Sequence, residues 1–143
     1  MRTRDHRKII AFQRADDLAV AVYRATQAWP KEERFGLTSQ IRRAAVSVPA
    51  NIAEGAARLK MREYLHFLSI ANGSLREVGY MVHLAGRIEY LDEMTSKALM
   101  LSYEETCRVL WGLIESVADG IEASGSVREE RSEYVIDPVD PEL

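Results

Sequence analysis

The sequence predicts an all-α protein, an antiparallel up-down-up-down four-helix bundle. Three observations carry that expectation. Apolar residues recur at steps of three and four through four long segments, no alternating strand pattern of comparable length occurs, and the connections between segments are short. At 143 residues the chain suits one domain with a real core.

The first helix is expected over 12–28, where Ala15, Leu18, Ala19, Val22, Tyr23 and Thr26 share a face. Trp29-Pro30 ends it, because proline disfavours helical geometry at the residue before it. Phe35-Gly36 continues the connection, and Thr38 is the expected cap of a second helix over 38–58. That helix carries Ile41, Ala44, Ala45, Val48, Ile52 and Ala56 on one face, and Pro49 predicts a kink within it. The third helix, 61–89, has the strongest pattern, with Tyr64, Leu68, Ala71, Leu75, Val78, Val82 and Ala85 in alternating steps. Asn72-Gly73 would ordinarily signal a turn, but the apolar phase is the same on both sides, so the helix is expected to continue through it. A fourth helix over 92–123 repeats the pattern at Tyr103, Cys107, Leu110, Ile114, Val117 and Ile121. The expected organisation is a basic arm over 1–11, a bundle over 12–123 and an acidic tail over 124–143, mobile or partner-dependent.

Apolar residues at 47% and charged residues at 29% exclude wholesale disorder and a low-complexity fibre. No stretch approaches the roughly 18 uncharged residues of a membrane-spanning helix. The start lacks a secretory signal pattern and a single cysteine cannot form an internal disulfide, so a cytoplasmic location and no membrane partner are expected. The net charge of -3 hides an asymmetry: residues 1–62 hold 13 Lys/Arg against 6 Asp/Glu, whereas residues 63–127 hold 4 against 10. Two readings follow, a basic half neutralised by an acidic half, or a basic binding face.

Beside the core face of the second helix, Gln40, Arg43, Ser47, Asn51, Glu54 and Arg58 fall within an arc of about 80°. A solvated face is one reading of that stripe. Ser47 and Asn51, however, are poor interior helix formers that make short, directional hydrogen bonds, and Ala50, Ala53, Gly55, Ala56 and Ala57 permit close backbone approach nearby. An interface is the other reading. Cations for phosphate binding are Arg2, Arg4, Arg7 and Lys8 in the arm, with Arg42, Arg43, Arg58, Lys60 and Arg62 on and after the second helix. The expected binding is to RNA or DNA without sequence preference, since neither a zinc-finger spacing nor an aromatic-rich single-strand motif is present.

Phe35-Gly36-Leu37, Gln40-Ile41-Arg42-Arg43-Ala44, Ser47-Val48-Pro49-Ala50-Asn51-Ile52-Ala53-Glu54-Gly55 and Arg58, then Phe67-Leu68, Ala71 and Gly73-Ser74-Leu75, resemble the four-helix-bundle proteins encoded by intervening sequences of bacterial 23S rRNA genes. The resemblance covers about residues 12–120; it departs at Glu77-Val78-Gly79-Tyr80, where Leu and Thr are more usual after Glu. It implies an antiparallel four-helix bundle that assembles into a five-fold ring. It also implies kinship with the accessory protein of diversity-generating retroelements, which binds nucleic acid and the reverse transcriptase. A homopentamer is therefore expected, with a protein scaffold or reverse-transcriptase accessory subunit as the alternative role.

Enzyme chemistry has thinner support. Glu63-x-x-His66 is half of a di-iron pattern, which needs a second Glu-x-x-His; His83 and His6 have no Glu three positions before them, and Glu77 is followed by Tyr80. Cys107 could pair with His66 or His83, but its phase is that of a buried core residue. No phosphate-cradling glycine loop or nucleophile elbow is present. The expectation is a non-enzyme without metal or cofactor.

Overall fold

Four stretches with apolar residues at helical spacing become four helices in the computed structural model, which describes residues 3–124. They are α1 (Ile10–Thr26), α2 (Leu37–Ala56), α3 (Met61–Arg87) and α4 (Glu93–Ala123), with 3-10 turns at His6–Lys8 and Lys31–Glu33 and no strand among the described residues. Each helix packs on its sequence neighbours, and α1 closes the bundle against α4. Connections of four to ten residues leave neighbours no room but to run antiparallel. No helix of the described residues is long and apolar enough to cross a membrane.

The expected core faces of α2, α3 and α4 are buried at every position named above, Cys107 included. On α1 the periodicity overreached at Tyr23, which is 44% exposed. It lies at the edge of the α1 face, where its ring carries the Arg42 guanidinium at 4.5 Å. A tyrosine in such a place keeps its ring covered by a neighbour and its hydroxyl wet.

Helix ends lie within two residues of expectation, those at Met61 and Ala123 coinciding with it, and two of the differences have local causes. Thr38 does not cap α2: the boundary residue is Gly36, and the Glu33 side chain reaches forward to accept from the Leu37 N–H at 2.9 Å. A carboxylate outcompetes a hydroxyl for that orphan donor because it also carries the charge the helix N-terminus favours. At the other end of α3, Glu89 adopts φ 64°, so Tyr90 N–H bonds back to Ala85 O at 2.9 Å and Glu89 N–H to Gly86 O at 3.3 Å. That is a Schellman closure on a residue other than glycine, with Tyr90 packing against Trp29 at 5.5 Å between ring centres. The helix continues through Asn72-Gly73, and α2 runs through buried Pro49 without a break.

Two glycines mark where helices approach most closely. A Cβ on Gly55 would lie 2.8 Å from Phe67 Cβ and 3.2 Å from the Tyr64 carbonyl oxygen, so α2 crosses α3 there with no room for a side chain. A Cβ on Gly79 would lie 2.3 Å from Tyr103 Cζ, which sets the α3–α4 spacing.

Candidate functional site

Four of the nine cations expected to bind phosphate gather at one end of the bundle. Arg4 is the organiser: its N–H donates to Ala56 O at 3.2 Å and its Nη1 to Arg58 O at 3.1 Å. Its Nη2 points to Met61 Sδ at 2.8 Å, and its guanidinium lies 4.4 Å from the Tyr64 ring centre. Residues 3–9 thus strap the start of α1 to the α2–α3 corner, which also bears Arg58, Lys60 and Arg62. Burial pushes the Tyr64 phenol above its ordinary value, and the Arg4 charge pulls the other way. Arg58 is held by Glu54 at 2.6 Å and stacks over Phe67 at 4.8 Å. The exposed Lys60 side chain has no hydrogen bond or ion pair among the described residues. Arg7 pairs with Asp5 at 2.9 Å, and that hydrogen-bonded guanidinium keeps the Asp5 carboxyl below its ordinary range. Lys8 is exposed. Arg2 lies outside the described residues, as does the expected tail beyond Ser124.

Arg42 and Arg43 do not join this group. The 14 residues of helix from Arg42 to the end of α2 at Ala56, at about 1.5 Å per residue, put Arg42 roughly 21 Å from the corner that bears Arg58. Arg42 Nε donates to Thr26 Oγ1 at 2.8 Å, whereas the exposed Arg43 side chain has no hydrogen bond or ion pair among the described residues. Arg14, outside the nine cations, joins the basic half to the acidic half through Glu105 of α4 at 2.8 Å. Arg7 and Arg58 instead use carboxylates two and four residues away in their own segments.

The polar stripe of α2 divides in two. Gln40, Arg43 and Glu54 are exposed, while Ser47, Asn51 and Arg58 are half-buried. Asn51 Nδ2 donates to Ser47 O at 2.8 Å and to Ser47 Oγ at 2.9 Å, and Ser47 Oγ meets Ser74 Oγ across α2 and α3 at 2.8 Å. Small residues at Ala44, Ser47 and Ser74 leave a groove of about 720 Å³ between the two helices. Leu37, Met81 and Leu84 supply its apolar wall, with Gln40, Arg43 and Glu77 on its flanks. Tyr80, 60% exposed, stands on its rim. Sequence reasoning found the α2 side of this groove; the α3 side was signalled only by the repeat Glu77-x-x-Tyr80-x-x-x-Leu84, which lies off the core phase.

Glu63 and His66 stand one turn apart at the start of α3, and no group of three or more His, Cys, Asp or Glu able to hold a metal ion occurs among the described residues. Burial pushes the Cys107 thiol up to about 11, so the sulfur is neutral at ordinary pH and a poor nucleophile.

No curated protein matches the chain. Among solved structures it is similar to a protein of unknown function from the S23 ribosomal protein family of Bacteroides thetaiotaomicron. That pair has a TM-score of 0.66 and 22% identity, covering 73% of this chain and 98% of the other. The likeness shows the shared helical fold. The profile of the 23S rRNA-intervening sequence protein family matches residues 7–112, a span that holds all of α1, α2 and α3 and most of α4. By that match, the chain belongs to the 23S rRNA-intervening sequence protein family.

Proposed function

We propose that this protein is a non-enzymatic, self-assembling helical module that binds nucleic acid without sequence preference through its basic end. The observation that carries the reading is the docking of Arg4 on the α2–α3 corner, which brings a cation from the arm to Arg58, Lys60 and Arg62. Such an end binds phosphates by charge and counterion release, whatever the bases. Assembly through the α2/α3 groove, in the five-fold ring that the family resemblance implies, would present several copies of the end to one strand and raise its avidity.

A second reading is a scaffold or accessory subunit, for a reverse transcriptase or another protein, without direct nucleic-acid contact. It is favoured by Arg7, Arg42 and Arg58 being engaged with partners inside the chain. Fluorescence anisotropy with mixed-sequence RNA, single-stranded DNA and duplex DNA at rising salt separates the two readings. The first expects affinity that falls steeply with salt, a shallower slope for Lys60→Gln/Arg62→Gln, and tighter binding once residues 128–143 are removed. Light scattering on the same samples reports assembly. No binding to any of the three at low salt, with or without the tail, establishes the scaffold reading instead.

A further inference from the structure

Beside that groove, on the flank of α2 toward Tyr23 of α1, lies a recess of about 490 Å³ that shares Arg43 and Ser47 with it and whose lining carries Arg34, Arg42 and Arg43, the hydroxyls of Thr38 and Ser39, and no carboxylate. In a chain with 22 acidic against 19 basic residues, three guanidiniums around one hollow reverse the local sign. They repel one another until an anion enters between them.

Arg42 is positioned before any ligand arrives. Thr26, 3% exposed, donates its hydroxyl proton to Val22 O at 2.9 Å and accepts from Arg42 Nε at 2.8 Å. The Tyr23 ring supports the guanidinium plane, and Nη2 reaches Tyr23 O at 3.4 Å. Of the five N–H donors of an arginine, three stay available. The entropy of ordering that side chain is lost in folding rather than in binding. Arg43 faces the recess without a partner among the described residues. Arg34 lies 5.2 Å over the Phe35 ring, which is 88% exposed. The N-terminus of α2 is not the attraction, since Glu33 already occupies the Leu37 N–H.

We propose that this recess binds the phosphomonoester of a nucleotide, with Arg34, Arg42 and Arg43 on the phosphate oxygens and the open Phe35 ring, which lies against Arg34 next to the recess, for a base. The volume suits a mononucleotide and is too small for a duplex. A terminal phosphate offers three free oxygens and close to two charges to the three guanidiniums, whereas an internal diester offers two oxygens and one charge. Two sources share that chemistry, a free nucleotide and the 5′-phosphorylated end of a strand. The site is separate from the basic end proposed for non-specific binding.

Isothermal titration with adenosine 5′-monophosphate and adenosine, and with one DNA oligonucleotide bearing either a 5′-phosphate or a 5′-hydroxyl, tests the proposal. The monophosphate is expected to bind at least tenfold more tightly than adenosine. A matching preference for the 5′-phosphorylated strand identifies a strand end, and its absence beside tight monophosphate binding identifies a free nucleotide. Arg34→Gln and Arg43→Gln change exposed side chains and should each weaken the monophosphate about tenfold with helicity unchanged and, since Arg43 also flanks the α2/α3 groove, with oligomer size by light scattering unchanged. Thr26→Val keeps all three charges and releases Arg42, so its monophosphate affinity should fall as well. Lys60→Gln/Arg62→Gln should leave it intact. Equal binding of monophosphate and adenosine, wild-type affinity in Arg34→Gln and Arg43→Gln, or an equal loss in Lys60→Gln/Arg62→Gln would each overturn the assignment.

Discussion

Replacing Gly79 with alanine puts a methyl group where Tyr103 already sits. The new Cβ would fall 2.3 Å from Cζ, 2.6 Å from Oη and 2.7 Å from Cε1 of that ring. Non-bonded carbons settle at about 3.5–4 Å, so the ring must retreat by more than about 1 Å. Tyr103 is 1% exposed and enclosed in the α3–α4 layer, which leaves it no solvent to swing into. Overpacking of this kind costs about 1–3 kcal/mol, and a clash this short with an enclosed ring belongs in the upper half of that range. Against it, a mid-helix glycine-to-alanine change returns about 0.8–1 kcal/mol. The expected net loss is about 1–2 kcal/mol, or about 3–8 °C in melting temperature for a chain of this size. Gly73 supplies the control, because it is exposed, lies in the same helix and has nothing within 4 Å of its virtual Cβ. Gly73→Ala should gain nearly the whole propensity term. Urea unfolding followed by circular dichroism measures both variants, and Gly79→Ala combined with Tyr103→Leu should lose less than the two single changes summed. A Gly79→Ala protein as stable as Gly73→Ala would refute the close α3–α4 approach.

Asn51→Leu removes two hydrogen bonds to Ser47 and loosens the serine pair that joins α2 to α3. At a half-buried position the expected cost is about 1 kcal/mol, with a change in oligomer size if the groove is a subunit contact; an unchanged melting temperature and unchanged light scattering would show a merely wet surface. The buried Cys107 thiol and Tyr103 phenol both resist ionisation in the fold, so each folded value lies above the unfolded one. The stabilisation from Cys107 is complete below its ordinary value near 9 and is lost as the pH rises toward about 11. Melting temperature should therefore decline across that interval, less steeply in Cys107→Ala, and a flat profile would contradict the burial of the thiol.

Where one face of a helix meets one continuous core, the residues state their own placement. The seven-residue face of α3 from Tyr64 to Ala85 could be read directly, and it carried the helix past Gly73 because a turn would have broken the phase. Capping was harder. Thr38 and Glu33 are both competent acceptors, and only the path of the chain between them decides which one reaches the Leu37 N–H. α3 stops at Arg87 rather than 89, and the closure at Glu89 was hidden because the left-handed position there is taken by a residue that ordinarily avoids it. Tyr23 was misplaced because aromatic residues at the margin of an apolar face satisfy the periodicity whether or not they are enclosed.

The candidate sites were legible only within a helix turn or two. Arg58, Lys60 and Arg62 are neighbours in sequence, but Arg4 is 54 residues from the carbonyl of Arg58 that it contacts. No local pattern reports such a pairing. The recess between α1 and α2 needs Thr26 to hold Arg42 across 16 positions, and Arg34 sits in a connection that periodicity passes over.

An even number of antiparallel helices brings the polypeptide back to the end from which it set out. Arg4 beside Ala56, and Met61 beside the backbone of Gly120, place the first and last described segments together there. The connections 27–36 and 88–92 turn at the opposite pole. Cyclic symmetry keeps like poles of its subunits on the same rim. In a cyclic ring of this chain, residues 3 and 124 of every subunit would accordingly share a single rim and leave the other bare of both, giving the particle a direction that its single-helix sequence patterns do not reveal.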